Sequence, residues 1–195
     1  STPPPPDTPD TALKIVKLDE GTDRPLAGAS FEVVGPSGDT IGIYTTGANG
    51  TITIPLTTVG NYTVYERVAP KGYLLSEEPA QNVTVTYGQT ATAAFHNAPY
   101  GNLRIEKIDA DTGDSLAGAR VQIKHIESGA THTGITGTGG SYTFSGLKPG
   151  AYEILELSAP EGWQKDPQTY TATVVTGETV VFTLKNDALP GLRIV

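Results

Sequence analysis

The sequence contains no cysteine, no methionine and a single tryptophan. Without cysteine there can be no disulfide, thiolate metal site or thiol nucleophile. An exported protein of this composition must draw its stability from something other than disulfides. Long apolar runs are also missing. No stretch approaches the ~20 residues of a membrane span, so no membrane insertion is expected. Basic residues are outnumbered, 13 Lys and Arg against 21 Asp and Glu in 195 residues. That leaves no basic face for nucleic acid. Neither a signal peptide nor a C-terminal sorting signal is visible, as expected of a segment cut from a longer protein.

Turn residues are plentiful, with 23 glycines and 15 prolines. Residues 1–10 form a proline-rich leader, expected to be extended and to contribute no core. The rest repeats itself. Ala12-Leu13-Lys14-Ile15-Val16-Lys17-Leu18-Asp19 matches Asn102-Leu103-Arg104-Ile105-Glu106-Lys107-Ile108-Asp109. Pro25-Leu26-Ala27-Gly28-Ala29 matches Ser115-Leu116-Ala117-Gly118-Ala119, and Tyr62 to Tyr73 matches Tyr152 to Trp163, all offset by 90 residues. A repeat of that length is a whole domain. The expected domains are 11–99 and 100–189. Residues 190–195 are a tail or the start of a further copy. Residues 11–99 carry five basic and eight acidic side chains, and residues 100–189 carry seven and eleven. Neither copy is specialised as an electrostatic partner site.

Within each copy the apolar period is two. Leu13 and Ile15, Phe31 and Val33, Ile41 and Ile43, Ile52 and Ile54, Tyr62 and Val64, Val83 and Val85, and Ala93 and Phe95 alternate with polar neighbours. Gly- and Asn-rich turns separate them. About seven short strands per copy predict an all-β chain of two tandem β-sandwiches.

Three positions per copy break the rule that inward means apolar. Lys17 continues the face of Leu13 and Ile15, Glu66 that of Tyr62 and Val64, and Asn97 that of Ala93 and Phe95. Lys107, Glu156 and Asn186 repeat the set. One account is a buried ion pair with Asn filling the hydrogen bonds, although such pairs rarely improve on apolar packing. The other is covalent. Burial favours a neutral amine and a protonated carboxyl. The amine is then a nucleophile, and the carboxyl can polarise the Asn carbonyl and carry protons to departing ammonia. The product is a Lys–Asn isopeptide bond, formed once and without a cofactor. A one-residue slip of register would turn all three side chains outward. In the second copy Asp187 lies beside Asn186 and could serve in this chemistry with loss of water, so it stands as the fallback acceptor.

The stretches Lys17-Leu18-Asp19, Leu26-Ala27-Gly28-Ala29-Ser30-Phe31, Tyr62-Thr63-Val64-Tyr65-Glu66 with Ala69-Pro70-Lys71-Gly72-Tyr73, and Asn97-Ala98-Pro99 resemble the Cna protein B-type domain. This family is also described as SpaA-like or prealbumin-like, and forms stalks of Gram-positive pilins and adhesins. The resemblance implies Ig-like sandwiches whose first and last strands are joined by an autocatalytic bond, Lys17 to Asn97 and Lys107 to Asn186. Glu66 and Glu156 would assist. It also implies a cell-wall-anchored, extracellular protein, with neighbouring domains of the same protein as partners. A host extracellular protein would be met through regions outside this segment. The second copy departs from the pattern at Trp163 and in its displaced Pro190. A carbohydrate- or host-protein-binding module using the end loops is the alternative, and an enzyme accessory domain a third. No enzymatic turnover is expected.

Other features read as structure. Asp109-Ala110-Asp111-Thr112-Gly113-Asp114 lacks the bidentate Glu of a calcium loop and is expected to be a turn. Thr136-Gly137-Thr138-Gly139-Gly140 resembles a phosphate loop only superficially, since a strand pattern follows it. His96, His125 and His132 lack metal spacing and are expected to be exposed. Tyr73 and Trp163 are expected to pack over the ends of the sandwiches.

Overall fold

The computed structural model describes residues 10–191. Most of the leader expected over 1–10 and of the tail expected over 190–195 therefore lies outside the described residues. Among the described residues there are fourteen strands and no helix. The chain divides into two compact units, 1–99 and 100–195.

The first unit contains β1 (Ala12–Asp19), β2 (Ser30–Val34), β3 (Thr40–Thr45), β4 (Thr51–Pro55), β5 (Gly60–Val68), β6 (Ala80–Val85) and β7 (Thr90–Asn97). One sheet has the order β4-β1-β7 and the other β3-β2-β5-β6. The first and last strands, β1 and β7, run parallel side by side. The second unit contains β8 (Gly101–Asp109), β9 (Arg120–His125), β10 (Thr131–Ile135), β11 (Ser141–Leu147), β12 (Gly150–Ser158), β13 (Thr169–Val174) and β14 (Thr179–Asn186). Its sheets, β11-β8-β14 and β10-β9-β12-β13, repeat the same topology, again with first and last strands parallel.

Alternation builds each core. Leu13, Ile15, Phe31, Val33, Val64 and Phe95 fill the first, and Leu103, Ile105, Val121, Ile123, Ile154 and Leu184 the second. Phe31 and Phe95 meet across the sheets at 4.9 Å. Complete burial of such a side chain stabilises by about 2–3 kcal/mol. Edge strand β3 departs from the expected pattern: Ile41 and Ile43 alternate but remain exposed.

Two details repeat in both units and fix the ends of the lysine strands. Thr46 Oγ1 accepts from Ala29 N and donates to Leu26 O, and Thr136 does the same with Ala119 and Leu116. Gly50 and Gly140 occupy left-handed turns, where a Cβ would lie 2.6 Å from Lys17 O and 2.8 Å from Lys107 O respectively. Only glycine allows the turn to approach so closely. The approach lets Lys17 N donate to Gly50 O and Lys107 N to Gly140 O. The glycine-rich run 136–140 is thus a structural turn.

One histidine expectation is corrected. His96 and His132 are exposed, but His125 is buried. It continues the inward series Val121, Ile123 on β9, packs at a tilt against Tyr152 with ring centroids 4.9 Å apart, and accepts at Nδ1 from Ser128 N. An imidazole is apolar enough over most of its surface to fill a core position when one nitrogen is satisfied.

Candidate functional site: two buried Lys–Glu–Asn clusters

The structure brings all six inward polar residues into two clusters. Lys17 comes from β1, Asn97 from the end of β7 beside it, and Glu66 from β5 of the facing sheet. Register explains the meeting. Lys17 stands opposite Phe95 and Asp19 opposite Asn97, so Lys17 and Asn97 are diagonal neighbours on one face, within reach of a long side chain. In the second unit Lys107 stands opposite Leu184 and Asp109 opposite Asn186, with Glu156 across the sandwich on β12. None of the six residues exceeds 2% exposure.

Glu66 Oε1 lies 3.9 Å from Lys17 Nζ and accepts from Asn97 Nδ2 at 2.8 Å. Lys17 Nζ also donates to the backbone oxygens of Leu18 and Phe95, each at 3.3 Å. In the second cluster Glu156 divides its oxygens. Oε1 lies 3.4 Å from Lys107 Nζ, at ion-pair distance but outside hydrogen-bond geometry. Oε2 accepts from Asn186 Nδ2 at 2.8 Å and from Asp166 N at 2.7 Å. In both clusters the amide nitrogen faces the carboxyl, whereas the sequence led us to expect the carbonyl oxygen there. The carboxyl therefore sits at the group that would leave.

Burial pushes the Lys17 amine below its ordinary pKa, although Glu66 and Asp19 pull the other way. Burial likewise pushes the Glu66 carboxyl up, against Lys17 and Asn97. Lys107 is lowered by burial, against Glu156 and Asp166. In the first cluster both shifts favour neutral amine beside neutral acid. Six fully buried side-chain polar atoms among the described residues have no hydrogen-bond partner, and five of them belong to these clusters: Glu66 Oε2, Asn97 Oδ1, Lys107 Nζ, Glu156 Oε1 and Asn186 Oδ1. Unsatisfied polar atoms cost stability, and their concentration here marks the clusters as something other than packing.

The residues around the clusters differ between units. Asp19 is buried and accepts from Tyr73 OH at 2.9 Å. Its counterpart Asp109 is half-buried, and Trp163, in the place of Tyr73, has no hydroxyl. Tyr73 bridges to Pro99 and Trp163 to Ala188, closing the same end of each sandwich. Asp187 is exposed. The 109–114 segment is a turn in which Asp109 accepts from Asp111 N and Thr112 Oγ1. Among the described residues no cluster of His, Asp or Glu is arranged to hold a metal ion.

A model of the SpaA prealbumin-like fold domain matches residues 11–99 and again 101–188. The chain belongs to that family. Serine-aspartate repeat-containing protein F of Staphylococcus epidermidis is 25% identical to this SpaA-family chain over 167 residues. That match covers 75% of the chain and 10% of the relative, so the chain spans about a tenth of the curated relative's length. A streptococcal ancillary pilin matches at 26% identity and a TM-score of 0.53, over 94% of this chain and 64% of its own. The shaft pilin SpaA of Lactobacillus rhamnosus GG matches at 13% identity and a TM-score of 0.53, over 95% and 99% of the two chains. This last is a likeness of fold.

Proposed function

We propose that the two SpaA-family domains are stalk modules of a cell-wall-anchored Gram-positive adhesin or pilin, each locked by a Lys–Asn isopeptide bond. The observation that carries the reading is the convergence, twice, of a buried Lys, Glu and Asn with the carboxyl between amine and amide. The neutral amine of Lys17 attacks Asn97 Cγ, and the new Nζ–Cγ bond replaces the Cγ–Nδ2 bond. The proton lost by Nζ passes through Glu66 to Nδ2, which leaves as ammonia. Lys107, Glu156 and Asn186 follow the same course. No electrons are transferred and no cofactor is needed. The sandwich supplies the effective concentration that makes amide exchange feasible.

Each cluster reacts once, so the domains are not enzymes. The gain is mechanical. Load entering at the start of β1 and leaving at the end of β7 passes from Lys17 directly to Asn97, and the strands between them are never pulled apart. Such a stalk would hold regions outside this segment, including any that meet a host protein, away from the cell wall.

Intact mass spectrometry tests the reading. Two bonds formed by amine attack with loss of ammonia should leave the chain about 34 Da lighter than its sequence mass. A mass equal to the sequence mass refutes it.

A further inference from the structure

We propose that Asp166 is a positioning residue for the second domain's cross-link. Its backbone holds Glu156, and its own side chain is held by Tyr170. The proposal rests on the isopeptide reading above and concerns only the second cluster.

The segment between β12 and β13 is one residue shorter than its counterpart between β5 and β6, counted from Trp163 and Tyr73 to the next strand. It lies directly against the cluster. Gln164 N donates to Asp187 O at 2.8 Å, which ties the segment to the end of β14. Gln164 O accepts from Asn186 Nδ2 at 2.7 Å, and Asp166 N donates to Glu156 Oε2 at 2.7 Å. The side chain of Asp166 then fixes the segment. Its Oδ1 accepts from Gln168 N at 2.9 Å, and its Oδ2 from Tyr170 OH at 2.7 Å. Tyr170 is anchored on β13 opposite Ile154 and packs on Phe182 at 5.5 Å.

The first domain has the matching tie, Leu74 N to Ala98 O at 2.8 Å, but not the hold on the carboxyl. Glu66 Oε2 has no hydrogen-bond partner. The strand position of Tyr170 is taken by Gln81, which stands opposite Val64 and donates to Ala94 O at 2.5 Å.

The chemical consequence is a division of labour between the oxygens of Glu156. Two N–H groups hold Oε2, one of them the leaving nitrogen of Asn186, while Oε1 faces Lys107 Nζ alone. Oε1 takes the proton that Nζ gives up as the Nζ–Cγ bond forms. A carboxyl proton then passes to Nδ2 as the Cγ–Nδ2 bond breaks and ammonia departs. A cavity of about 230 Å³ lined by Gln164, Asp166, Tyr170, Lys185 and Asn186 adjoins the leaving group and gives ammonia a way out. Slackening the segment lets Glu156 rotate away from both partners.

The test is a time course of bond formation in the full chain after cell-free synthesis, read by intact mass and by peptide mapping of each branched peptide. Asp166→Ala and Tyr170→Phe should slow the Lys107–Asn186 bond about tenfold or more, with the Lys17–Asn97 bond unchanged as internal control. Asp166→Asn keeps one acceptor oxygen for Gln168 N, and the Tyr170 hydroxyl can turn to accept from the new amide NH2, so it should restore most of the rate. Stability is read separately in a Lys107→Met background, where no second bond can form. An unchanged second-domain rate in Asp166→Ala, whatever its stability, overturns the proposal and leaves the isopeptide reading standing. Asp166→Asn as slow as Asp166→Ala overturns it too. Absence of both branched peptides from the unsubstituted chain removes the underlying reading itself.

Discussion

Lys17 and Asn97 lie on the same inner face of two neighbouring parallel strands, two residues out of register. A bond between them closes a loop running from residue 17 to residue 97. By the chain-entropy model such a closure stabilises by about 4–5 kcal/mol. Lys17→Met removes the nucleophile and keeps an unbranched apolar stem in the core. It should lower the first domain's melting midpoint by roughly 20 °C. Calorimetry that finds the first transition unmoved would contradict a covalent role for Lys17.

Glu66→Gln separates the carboxyl's chemistry from its volume. Gln can hydrogen-bond Asn97 but cannot relay a proton. The first bond should fail while the second forms, leaving a deficit of about 17 Da. Some loss of stability is also expected, because the bond that would tie β1 to β7 is then missing. An undiminished deficit would remove Glu66 from the reaction.

The pH dependence of an unlinked domain reports the state of the amine. In an Asn97→Ala chain Lys17 has no acceptor and stays an amine. Burial sets its folded-state pKa below the ordinary 10.5. Between those two values the unfolded chain holds a proton that the folded domain lacks, so raising the pH through the window stabilises the fold. Relative to an Asn97→Ala/Lys17→Met chain, the Lys17 chain should be weakest near neutrality and should gain as the pH approaches about 10. Urea unfolding at several pH values measures the gap. A gap that stays constant or widens would contradict the lowered amine.

Strand period alone placed Lys17, Glu66 and Asn97 on inward faces, because one face of each strand is buried and register is then strongly specified. The same logic found the parallel set in the second copy. It missed His125, whose polar type masked its place in the series after Val121 and Ile123. It also missed Asp166 and Gln164. Their contacts to Glu156 and Asn186 run through backbone atoms, which side-chain pattern does not encode. The one-residue shortening of their loop was the available signal: the 90-residue offset at Glu66 and Glu156 falls to 89 at Asn97 and Asn186.

Tyr73 and Asp19 supply a pH-dependent tie particular to the first domain. Burial alone would raise the Asp19 carboxyl, but hydrogen bonds from Thr22, Tyr73 and Gly21 outweigh it and hold the pKa below the ordinary 3.8. A lowered carboxylate contributes stability that is present above its unfolded value and lost as pH falls through the folded one. Tyr73→Phe should therefore cost about 1 kcal/mol at neutral pH. The penalty should fade in acid as Asp19 takes up its proton. A penalty independent of pH would assign the effect of Tyr73 to packing.

Facing favours Asn186 over Asp187 as the proposed acceptor in the second domain. Asn186 is buried opposite Asp109, as Asn97 is opposite Asp19. Asp187 is exposed, and its backbone oxygen accepts from Gln164 N. Asn186→Ala should leave a deficit of about 17 Da, and Asp187→Ala one of about 34 Da. The opposite pattern would make Asp187 the acceptor. That outcome would carry a structural corollary. A one-residue step reverses the face of every side chain on a strand, so Asp187 could reach Lys107 only if β14 slipped. Leu184 would then leave the core and Lys185 would enter it, which hydrogen exchange along β8 and β14 would register as lost protection.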